Sequence, residues 1–261
     1  MINSATALYC IIGNPVSHSK SPHIHNAAFK YHNINAVYLA FDIDKDNFNE
    51  AITGLKRLKE LKGLNITVPH KVNILPFIDK LDSTATTTGS VNTIKNDNGT
   101  WIGYNTDWYG VLKTLENNKI NQDVSVLIIG SGGATPAVIY ALQQYGIKKI
   151  SITNRTEENA DILAGKFGIS KINYTKYKNT ISEHNLIINT TTLTFNDFID
   201  TYDSKTIYYD LKYYKNFDKP NIKYINGKEM LLYQAAMAYT IWTNKESPIE
   251  IMKLSLNEEN K

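Results

Sequence analysis

Most of the side chains that could do chemistry lie in four short polar segments of the first half of the chain. Hydroxyls, amides, a lysine and an aspartate recur in them, a combination that suits a small polyhydroxylated acid. Each segment alone is better explained by ordinary helix caps and turns, but the four together favour a binding site. They span residues 14–22 (NPVSHSKSP), 65–71 (NITVPHK), 90–93 (SVNT) and 103–107 (GYNTD).

A glycine-rich turn in the second half is typical of dinucleotide-binding units. The apolar run 124–129 predicts a buried parallel strand, and an apolar helix is predicted at 136–145. The residues between them read GSGGA. Glycines at such a turn let backbone N–H groups approach a pyrophosphate at a helix N-terminus. Residue 135 is not glycine, so the GxGxxG pattern is incomplete, and a turn made for packing alone stays open.

The end of the next predicted strand indicates which dinucleotide binds. NAD-binding folds usually carry there an acid that holds the ribose 2′-hydroxyl. This sequence has Asn154, Arg155 and Thr156 instead. An amide, a guanidinium and a hydroxyl suit a 2′-phosphate, which an acid would repel. We therefore expect NADP rather than NAD, with a solvated surface arginine as the alternative.

Strand and helix segments alternate along the chain, which predicts an α/β fold with a mainly parallel sheet. Ligands of such sheets bind beyond the carboxyl ends of the strands, and each polar segment lies at or near such an end. Ser21 is the predicted cap of the first helix, and the polar stretch 117–123 is a plausible domain boundary. Strands are predicted at 7–13, 36–41, 63–68, on both sides of the turn 96–99, and at 124–129, 149–153, 185–188, 206–210 and 222–225; helices are predicted at 22–33, 48–61, 72–78, 82–88, 106–118, 136–145, 157–167, 230–242 and 249–256.

The composition excludes several classes of protein. With 42% hydrophobic and 20% charged residues among 261, the chain is neither disordered nor fibrous. A net charge of +3 without a dense basic stretch argues against nucleic-acid binding. No apolar run approaches the roughly 18 residues of a membrane span, and no signal-peptide pattern is visible. We therefore expect a soluble cytoplasmic protein.

Disulfide and metal chemistry are not expected either. The single cysteine, Cys10, excludes an intramolecular disulfide framework and is predicted to be a buried residue on a strand. The histidines at 18, 23, 25 and 70 lack a recognisable metal-ligand spacing. His25 is expected to pack or bond within its helix.

Seven motifs, spaced in the family order along nearly the whole chain, resemble the shikimate dehydrogenase family. They are GNPVSHSKSPHIHN, NITVPHK, GSVNT, GYNTDWYG, VLIIGSGGA, TNRT and GKEMLLYQAA. The resemblance implies reversible, NADP-linked reduction of 3-dehydroshikimate to shikimate in aromatic amino-acid biosynthesis. It also implies two α/β domains separated by a deep cleft: a substrate domain (1–103 and 233–261) with a mainly parallel sheet, and a Rossmann-like NADP domain (104–232). Monomer and homodimer both stay open.

The motif positions imply roles in catalysis and substrate binding. Lys71 and Asp107 match the catalytic pair. A lysine ammonium beside a ketone stabilises the alkoxide formed by hydride transfer and protonates it, and the aspartate would hold the same hydroxyl and fix the lysine. The implied substrate contacts are Ser19 and Ser21 to the carboxylate, Thr67, Asn92 and Gln234 to the ring hydroxyls, and Tyr213 near the substrate and the nicotinamide.

The resemblance also assigns the cofactor contacts, with some departures from the family pattern. Pro136 and the acidic stretch 157–159 stand where the family commonly has basic residues, so one strong cation rather than two is expected at the 2′-phosphate. Residues 189–193 (NTTTL) replace the usual Ser/Pro- and Gly-containing turn. The assigned positions are Gly130, Ser131, Gly132, Gly133 and Ala134 at the pyrophosphate, Asn154, Arg155 and Thr156 at the 2′-phosphate, and Gly227 and Met230 at the nicotinamide.

Two other functions stay open at this point. A quinate/shikimate dehydrogenase using NAD would want an acid near Asn154 and often has a threonine for one carboxylate serine, whereas Ser21 is serine. A non-catalytic NADP-binding regulatory protein would have a broken lysine–aspartate pair, whereas Lys71 and Asp107 are both present.

Overall fold

The computed structural model describes residues 2–197, 199, 202–213, 217 and 219–258. The chain divides into two compact units, one of Met1–Thr106 with Leu232–Lys261 and one of Asp107–Leu231. The predicted domains instead divide after residues 103 and 232, and their terminal residues 1 and 259–261 lie outside the described part of the chain.

The first unit contains a six-stranded sheet of mixed direction. Its strands are β1 (Ala7–Gly13), β2 (Ala36–Asp42), β3 (Leu61–Ile66), β4 (Lys80–Leu81), β5 (Thr93–Asp97) and β6 (Thr100–Tyr104). They lie in the order β2-β1-β3-β5-β6-β4. Strand β5 is antiparallel to both of its neighbours, and the other pairs are parallel. The helices of this part are α1 (Ser21–Tyr31), α2 (Phe48–Leu55) and α3 (Ser83–Thr88), with a 3₁₀ turn at Leu75–Phe77.

Local signals account for two of these elements. The Asp82 side chain accepts a hydrogen bond from the Ala85 amide at 2.8 Å, which caps the start of α3, and Gly89 ends the helix with a φ of +70°. Asn98 and Gly99, with φ values of +51° and +96°, form the predicted hairpin turn between β5 and β6. Both residues tolerate positive φ, as the favoured two-residue hairpin turns require.

The second unit contains a six-stranded sheet in which every described pair is parallel. Its helices are α4 (Asp107–Asn117), α5 (Thr135–Tyr145) and α6 (Glu157–Phe167); its strands are β7 (Ser125–Ile129), β8 (Lys149–Thr153), β9 (Ser170–Lys171), β10 (Leu186–Asn189), β11 (Ile207–Asp210) and β12 (Lys223–Ile225). The order β12-β11-β10-β7-β8-β9 is the 6-5-4-1-2-3 arrangement of a doubly wound dinucleotide-binding sheet. The predicted α/β fold with mainly parallel sheets is confirmed. Helices α7 (Lys228–Thr243) and α8 (Ile249–Asn257) follow, and the second division between the units falls within α7.

Strand β7 shows why its sequence is continuously apolar. Val126 and Ile128 belong to one buried cluster, whereas Leu127 and Ile129 belong to another. Successive side chains of a strand point to opposite faces, so both faces of the sheet are covered. A strand buried on both faces has no position at which water favours a polar residue.

Several predicted element boundaries are wrong. The helix predicted at 48–61 ends at Leu55, and residues from Leu61 onward form β3. Leu58 continues the helical spacing of apolar residues, but its side chain is 42% exposed, so the periodicity misled the prediction. The segment 72–78 forms only the 3₁₀ turn at Leu75–Phe77. Strands β4 and β9 have two residues each, which is too short for any periodic signal.

Helix α4 packs closely against the start of α7 through a glycine. A Cβ at Gly110 would collide with the carbonyl group of Met230, which is backbone and cannot rotate away. Gly165, inside α6, has no atom within 4 Å of an added Cβ. The two helical glycines of this unit therefore differ in what surrounds them.

We expect Gly110→Ala to lower the free energy of unfolding by about 2 kcal/mol, because overpacking against a fixed neighbour costs roughly 1–3 kcal/mol. Gly165→Ala is the matched control and should raise it by about 0.5–1 kcal/mol, since alanine favours the helix. Urea unfolding of both variants and the wild type measures the difference. A Gly110→Ala protein as stable as the control would contradict the close packing.

Candidate active site

The four polar segments meet at one edge of the first sheet. Strands β1 and β3 are parallel and end side by side, with Ile12 paired to Ile66. Strand β5 runs in the opposite direction, so it begins at this edge, with Thr93 opposite both Asn65 and Tyr104. The residues that follow β1, β3 and β6 and those that precede β5 therefore share the edge at which α/β sheets bind ligands.

Asn92 is the centre of a buried hydrogen-bond network at this edge. Its Oδ1 accepts a hydrogen bond from the Thr106 amide at 2.7 Å, and its Nδ2 donates to Thr106 Oγ1 at 3.0 Å. Nδ2 also lies 3.4 Å from Oε1 of Gln234, a residue 142 positions away on α7. The tertiary structure thus brings together two predicted substrate contacts, Asn92 and Gln234.

Asn65 supports this network, although it was not among the residues predicted to bind substrate. Its Nδ2 donates to the Asn92 carbonyl at 3.1 Å and to Thr93 Oγ1 at 3.0 Å. Its Oδ1 accepts a hydrogen bond from the Tyr38 hydroxyl at 2.7 Å. Burial raises the pKa of Tyr38 well above its usual value, so this hydroxyl remains a donor. The place of Asn65 in the motif NITVPHK, at a strand end, was the available signal.

Lys71 is nearly buried, and its main chain is fixed on both sides. Its carbonyl accepts a hydrogen bond from the Val91 amide at 2.9 Å, and the preceding His70 amide donates to the carbonyl of the half-buried Thr67 at 2.8 Å. The His70 ring stacks on Phe48 at 4.1 Å between centroids, and its Nε2 lies 2.6 Å from the Ile43 carbonyl. His70 therefore anchors the segment that carries Lys71.

Ser19 and Ser21 lie next to each other at the start of α1. The Ser21 amide donates to Ser19 Oγ at 3.3 Å, and Ser21 is buried whereas Ser19 is partly exposed. The prediction that Ser21 caps the helix is wrong, because the helix begins at Ser21 and no side-chain hydrogen bond caps it. The Ser21 side chain is thus not used as a helix cap.

Most of the predicted cofactor residues, and the predicted substrate contact Tyr213, follow strands of the second sheet at one edge. Residues 130–134 follow β7, residues 154–156 follow β8, Tyr213 follows β11 and Gly227 follows β12. The strand ends are level across the sheet, with Ile129 paired to both Thr153 and Asn189. A parallel sheet places every carboxyl end at the same edge, so its topology gathers these segments.

The glycine turn takes a conformation that requires glycine at its first position. Gly130 has a φ of +112°, and its amide donates to the Thr153 carbonyl at 2.9 Å. A Cβ there would lie 2.5 Å from Thr190 Oγ1 and 2.8 Å from Thr191 Cγ2, so only glycine fits. Ser131, Gly132, Gly133 and Ala134 are partly or fully exposed and lead directly into α5. Their exposed position at a helix N-terminus suits an anion.

Arg155 is exposed, and no carboxylate pairs with it in the described part of the chain. The neighbouring Asn154 donates from Nδ2 to the Thr156 carbonyl at 2.8 Å. Glu157, in the first turn of α6, is instead bound by Lys171 at 3.3 Å. Hydrogen bonding to Asp161 raises the pKa of Lys171, so this lysine keeps its charge. The guanidinium is thus available to a phosphate.

The remaining predicted residues of this unit are more enclosed. Asp107 is buried in the first turn of α4, where the helix dipole favours a carboxylate. Tyr213 is half-buried. A Cβ at Gly227 would collide with the Leu211 carbonyl, so packing alone demands glycine there. Met230 is a member of the buried core cluster of this unit.

A buried ion pair at the end of β11 was not predicted from the sequence. Lys212 Nζ lies 3.4 Å from Oδ1 of Asp210, the last residue of β11.

His25 packs among aromatic rings, 4.5 Å from Tyr38 and 5.0 Å from Trp242 between centroids. Burial lowers the pKa of His25 to about 3, which keeps it neutral.

The described residues contain no group of three or more His, Cys, Asp or Glu side chains that could hold a metal ion. None of the helices described is both long enough and apolar enough to cross a membrane.

Three family models match successive parts of the chain. They are the shikimate dehydrogenase substrate binding domain at residues 11–94, shikimate / quinate 5-dehydrogenase at 114–201, and the shikimate 5′-dehydrogenase C-terminal domain at 227–253. They fall in the same order as the motifs in the sequence.

Full-length proteins are similar as well. The chain is 40% identical to the shikimate dehydrogenase (NADP(+)) of Aquifex aeolicus, over 99% of each chain. The crystal structure of shikimate dehydrogenase from Aquifex aeolicus covers 99% of this chain and 100% of its own, with 38% identity and a TM-score of 0.91. The shikimate 5-dehydrogenase of Thermus thermophilus in complex with NADP(H) and shikimate is 27% identical, with coverage of 96% and 98% and a TM-score of 0.83. This chain therefore belongs to the shikimate dehydrogenase family.

Proposed function

We propose that this protein catalyses the reversible, NADP-dependent reduction of 3-dehydroshikimate to shikimate, a step of aromatic amino-acid biosynthesis. The observation that carries the proposal is the position of the motif residues. Those outside the helices follow or adjoin strands at the carboxyl edges of two α/β sheets, which is where such sheets bind ligands. The full-length similarity to NADP-dependent shikimate dehydrogenases supports the same reaction.

The first unit is the proposed substrate unit. Ser19 and Ser21 would bind the carboxylate, and Thr67, Asn92 and Gln234 would bind the ring hydroxyls. The 3.4 Å contact between Asn92 Nδ2 and Gln234 Oε1 is long for a hydrogen bond, so a substrate hydroxyl can replace it at little cost. The shorter bonds from Thr106 and Asn65 would meanwhile hold Asn92 in place.

The second unit is the proposed NADP unit, and its residues fit that cofactor. The amides of 130–134 would bind the pyrophosphate, and Asn154, Arg155 and Thr156 would bind the 2′-phosphate. Tyr213 would lie near the substrate and the nicotinamide, and Gly227 and Met230 would border the nicotinamide. Because Gly227 and Met230 are tightly packed, we expect their backbone to form that border. When bound, NADPH supplies the hydride.

Lys71 is the proposed proton carrier. In the direction of reduction its ammonium Nζ would stabilise the negative charge that develops on the former ketone oxygen and then protonate it. In the opposite direction the neutral amine would accept the hydroxyl proton. Asp107 is the proposed carboxylate partner, which accepts a hydrogen bond from the same hydroxyl.

We expect Lys71→Ala to lower kcat by about 10²–10⁴-fold, the usual contribution of general acid–base catalysis, with a much smaller change in KM. Lys62→Ala is the control, since Lys62 lies on β3 of the same unit and its ammonium contacts only the Lys59 carbonyl among the described residues. Steady-state kinetics with shikimate and NADP⁺ measure both. A Lys71→Ala enzyme with near-native kcat would rule out Lys71 as the proton carrier.

Cofactor preference should depend on Arg155. Loss of a charged hydrogen-bond partner costs about 1.5–3 kcal/mol, so we expect Arg155→Ala to lower kcat/KM for NADP⁺ about 10- to 100-fold while that for NAD⁺ changes little. The chain's other arginine, the exposed Arg57, provides the control variant Arg57→Ala. If Arg155→Ala lowers kcat/KM equally for NADP⁺ and NAD⁺, Arg155 does not bind the 2′-phosphate.

The reaction itself is tested by absorbance of the reduced nicotinamide. Wild-type protein is assayed with shikimate or quinate, each with NADP⁺ or NAD⁺. We expect the largest kcat/KM for shikimate with NADP⁺. A preference for quinate with NAD⁺ would instead indicate a quinate/shikimate dehydrogenase, and absence of turnover in all four combinations would indicate a non-catalytic binding protein.

We further propose a cytoplasmic protein that acts as a monomer or homodimer without a nucleic-acid partner. The net charge of +3 over 261 residues supports the last point. Light scattering during size-exclusion chromatography distinguishes monomer from dimer.

A further inference from the structure

Lys212 is a buried lysine in the segment that follows β11. Its ammonium donates to the Thr191 carbonyl at 3.1 Å and also to the Leu193 carbonyl. Both acceptors belong to residues 190–194, which follow β10 and are called the β10 loop below. Lys212 therefore connects two separate loops at the carboxyl edge of the second sheet.

Asp210 and Asn189 complete this connection. Asp210 Oδ1 lies 3.4 Å from Lys212 Nζ and accepts a hydrogen bond from the Lys212 amide at 3.0 Å. Asn189 donates from Nδ2 to Asp210 Oδ2 at 3.2 Å and to the Leu193 carbonyl at 2.8 Å. All three side chains are buried. A buried ion pair is weak evidence for stability, so its geometric effect on the loop is the more informative feature.

The β10 loop contacts the glycine turn on its other side. Thr190 Oγ1 lies 2.8 Å from Thr135 Oγ1, and Thr135 Oγ1 donates to the Gly130 carbonyl at 3.2 Å. Thr190 and Thr191 also occupy the space that a Cβ at Gly130 would need. Movement of the loop would therefore move groups that touch the start of the turn.

We propose that Lys212 is a positioning residue of the dinucleotide site. By holding the carbonyls of Thr191 and Leu193, it keeps the β10 loop against the turn at Gly130 and so keeps the turn in the form that receives the pyrophosphate. The identity of the ligand rests on the proposed function, whereas the restraint on the loop does not. Its carbonyl accepts a hydrogen bond from the Gly227 amide at 2.9 Å, a main-chain contact that a change of side chain leaves in place, whereas its ammonium holds the β10 loop.

Hydrogen exchange of the ligand-free protein tests the restraint. Lys212→Met keeps the length of the side chain but removes its donors, and we expect amide exchange in the β10 loop to become about tenfold faster, as for a locally opened segment. Lys205→Met is the matched control, because Lys205 is an exposed lysine just before β11. Amide exchange in the Lys205→Met protein should equal that of the wild type. Unchanged exchange in Lys212→Met would overturn the proposal.

Titration with NADPH, followed by its fluorescence, tests the consequence for binding. We expect Kd for NADPH to rise about tenfold or more in Lys212→Met, because small misplacements of binding groups have effects of this size, while KM for shikimate stays unchanged. A faster-exchanging loop with unchanged Kd would overturn the positioning role. If the wild type fails to bind NADPH, the proposed function fails, and the exchange experiment still reports separately on the loop.

The double variant Asp210→Asn with Lys212→Met separates positioning from simple stability. Lys212→Met alone leaves a buried carboxylate without its ammonium, which destabilises the protein, whereas the double variant removes both charges. We expect the double variant to recover most of the melting temperature but to retain the weak NADPH binding, since the loop carbonyls still lack their donor. Recovery of NADPH binding together with the melting temperature would show that Lys212 only balances charge.

Discussion

Strand direction is the constraint on which both units depend. In the second unit, parallel pairing places the ends of β7, β8, β10, β11 and β12 at one edge, so five loops from distant parts of the sequence become neighbours. The first unit reverses one strand, β5, but the hairpin to β6 returns the chain to the same edge. Polar residues can therefore collect at the edges without interrupting the apolar strands that support them.

The buried amides at the first edge show how such a site is kept rigid. Asn65, Asn92 and Asn105 are all buried, and an unpaired amide there would carry a large desolvation cost. Asn105 donates from Nδ2 to Ser90 Oγ at 2.9 Å and to Thr88 Oγ1 at 3.1 Å. Because each amide is held by several partners, its orientation is fixed by the fold. For the proposed substrate, this preorganisation lowers the cost of ordering the edge on binding.

In the second unit, carboxylates lie close in sequence to the proposed phosphate ligand Arg155. The acidic first turn of α6 lies next to Arg155 in the sequence and would weaken binding of a phosphate if its carboxylates were unpaired. Lys171, on the adjacent strand, engages Glu157 of that turn at 3.3 Å and Asp161 of the next turn at 2.7 Å, and so offsets part of this charge, whereas Glu158 is exposed. The proposed preference for NADP thus depends partly on charges that do not belong to the proposed phosphate ligands.

The alternation of strands and helices, the hairpin at 96–99 and the glycine turn at Gly130 could all be predicted from the sequence, because their signals depend on residues close together in the chain. The sequence also identified the motif residues, since their spacing is specific. Three features could not be predicted from the sequence: the helix starting at Phe48 ends at Leu55, Gln234 reaches Asn92, and Lys212 is buried against the β10 loop. These outcomes depend on contacts between segments that are distant in the chain. A buried polar side chain can pair only with the groups that the folded sheets bring next to it.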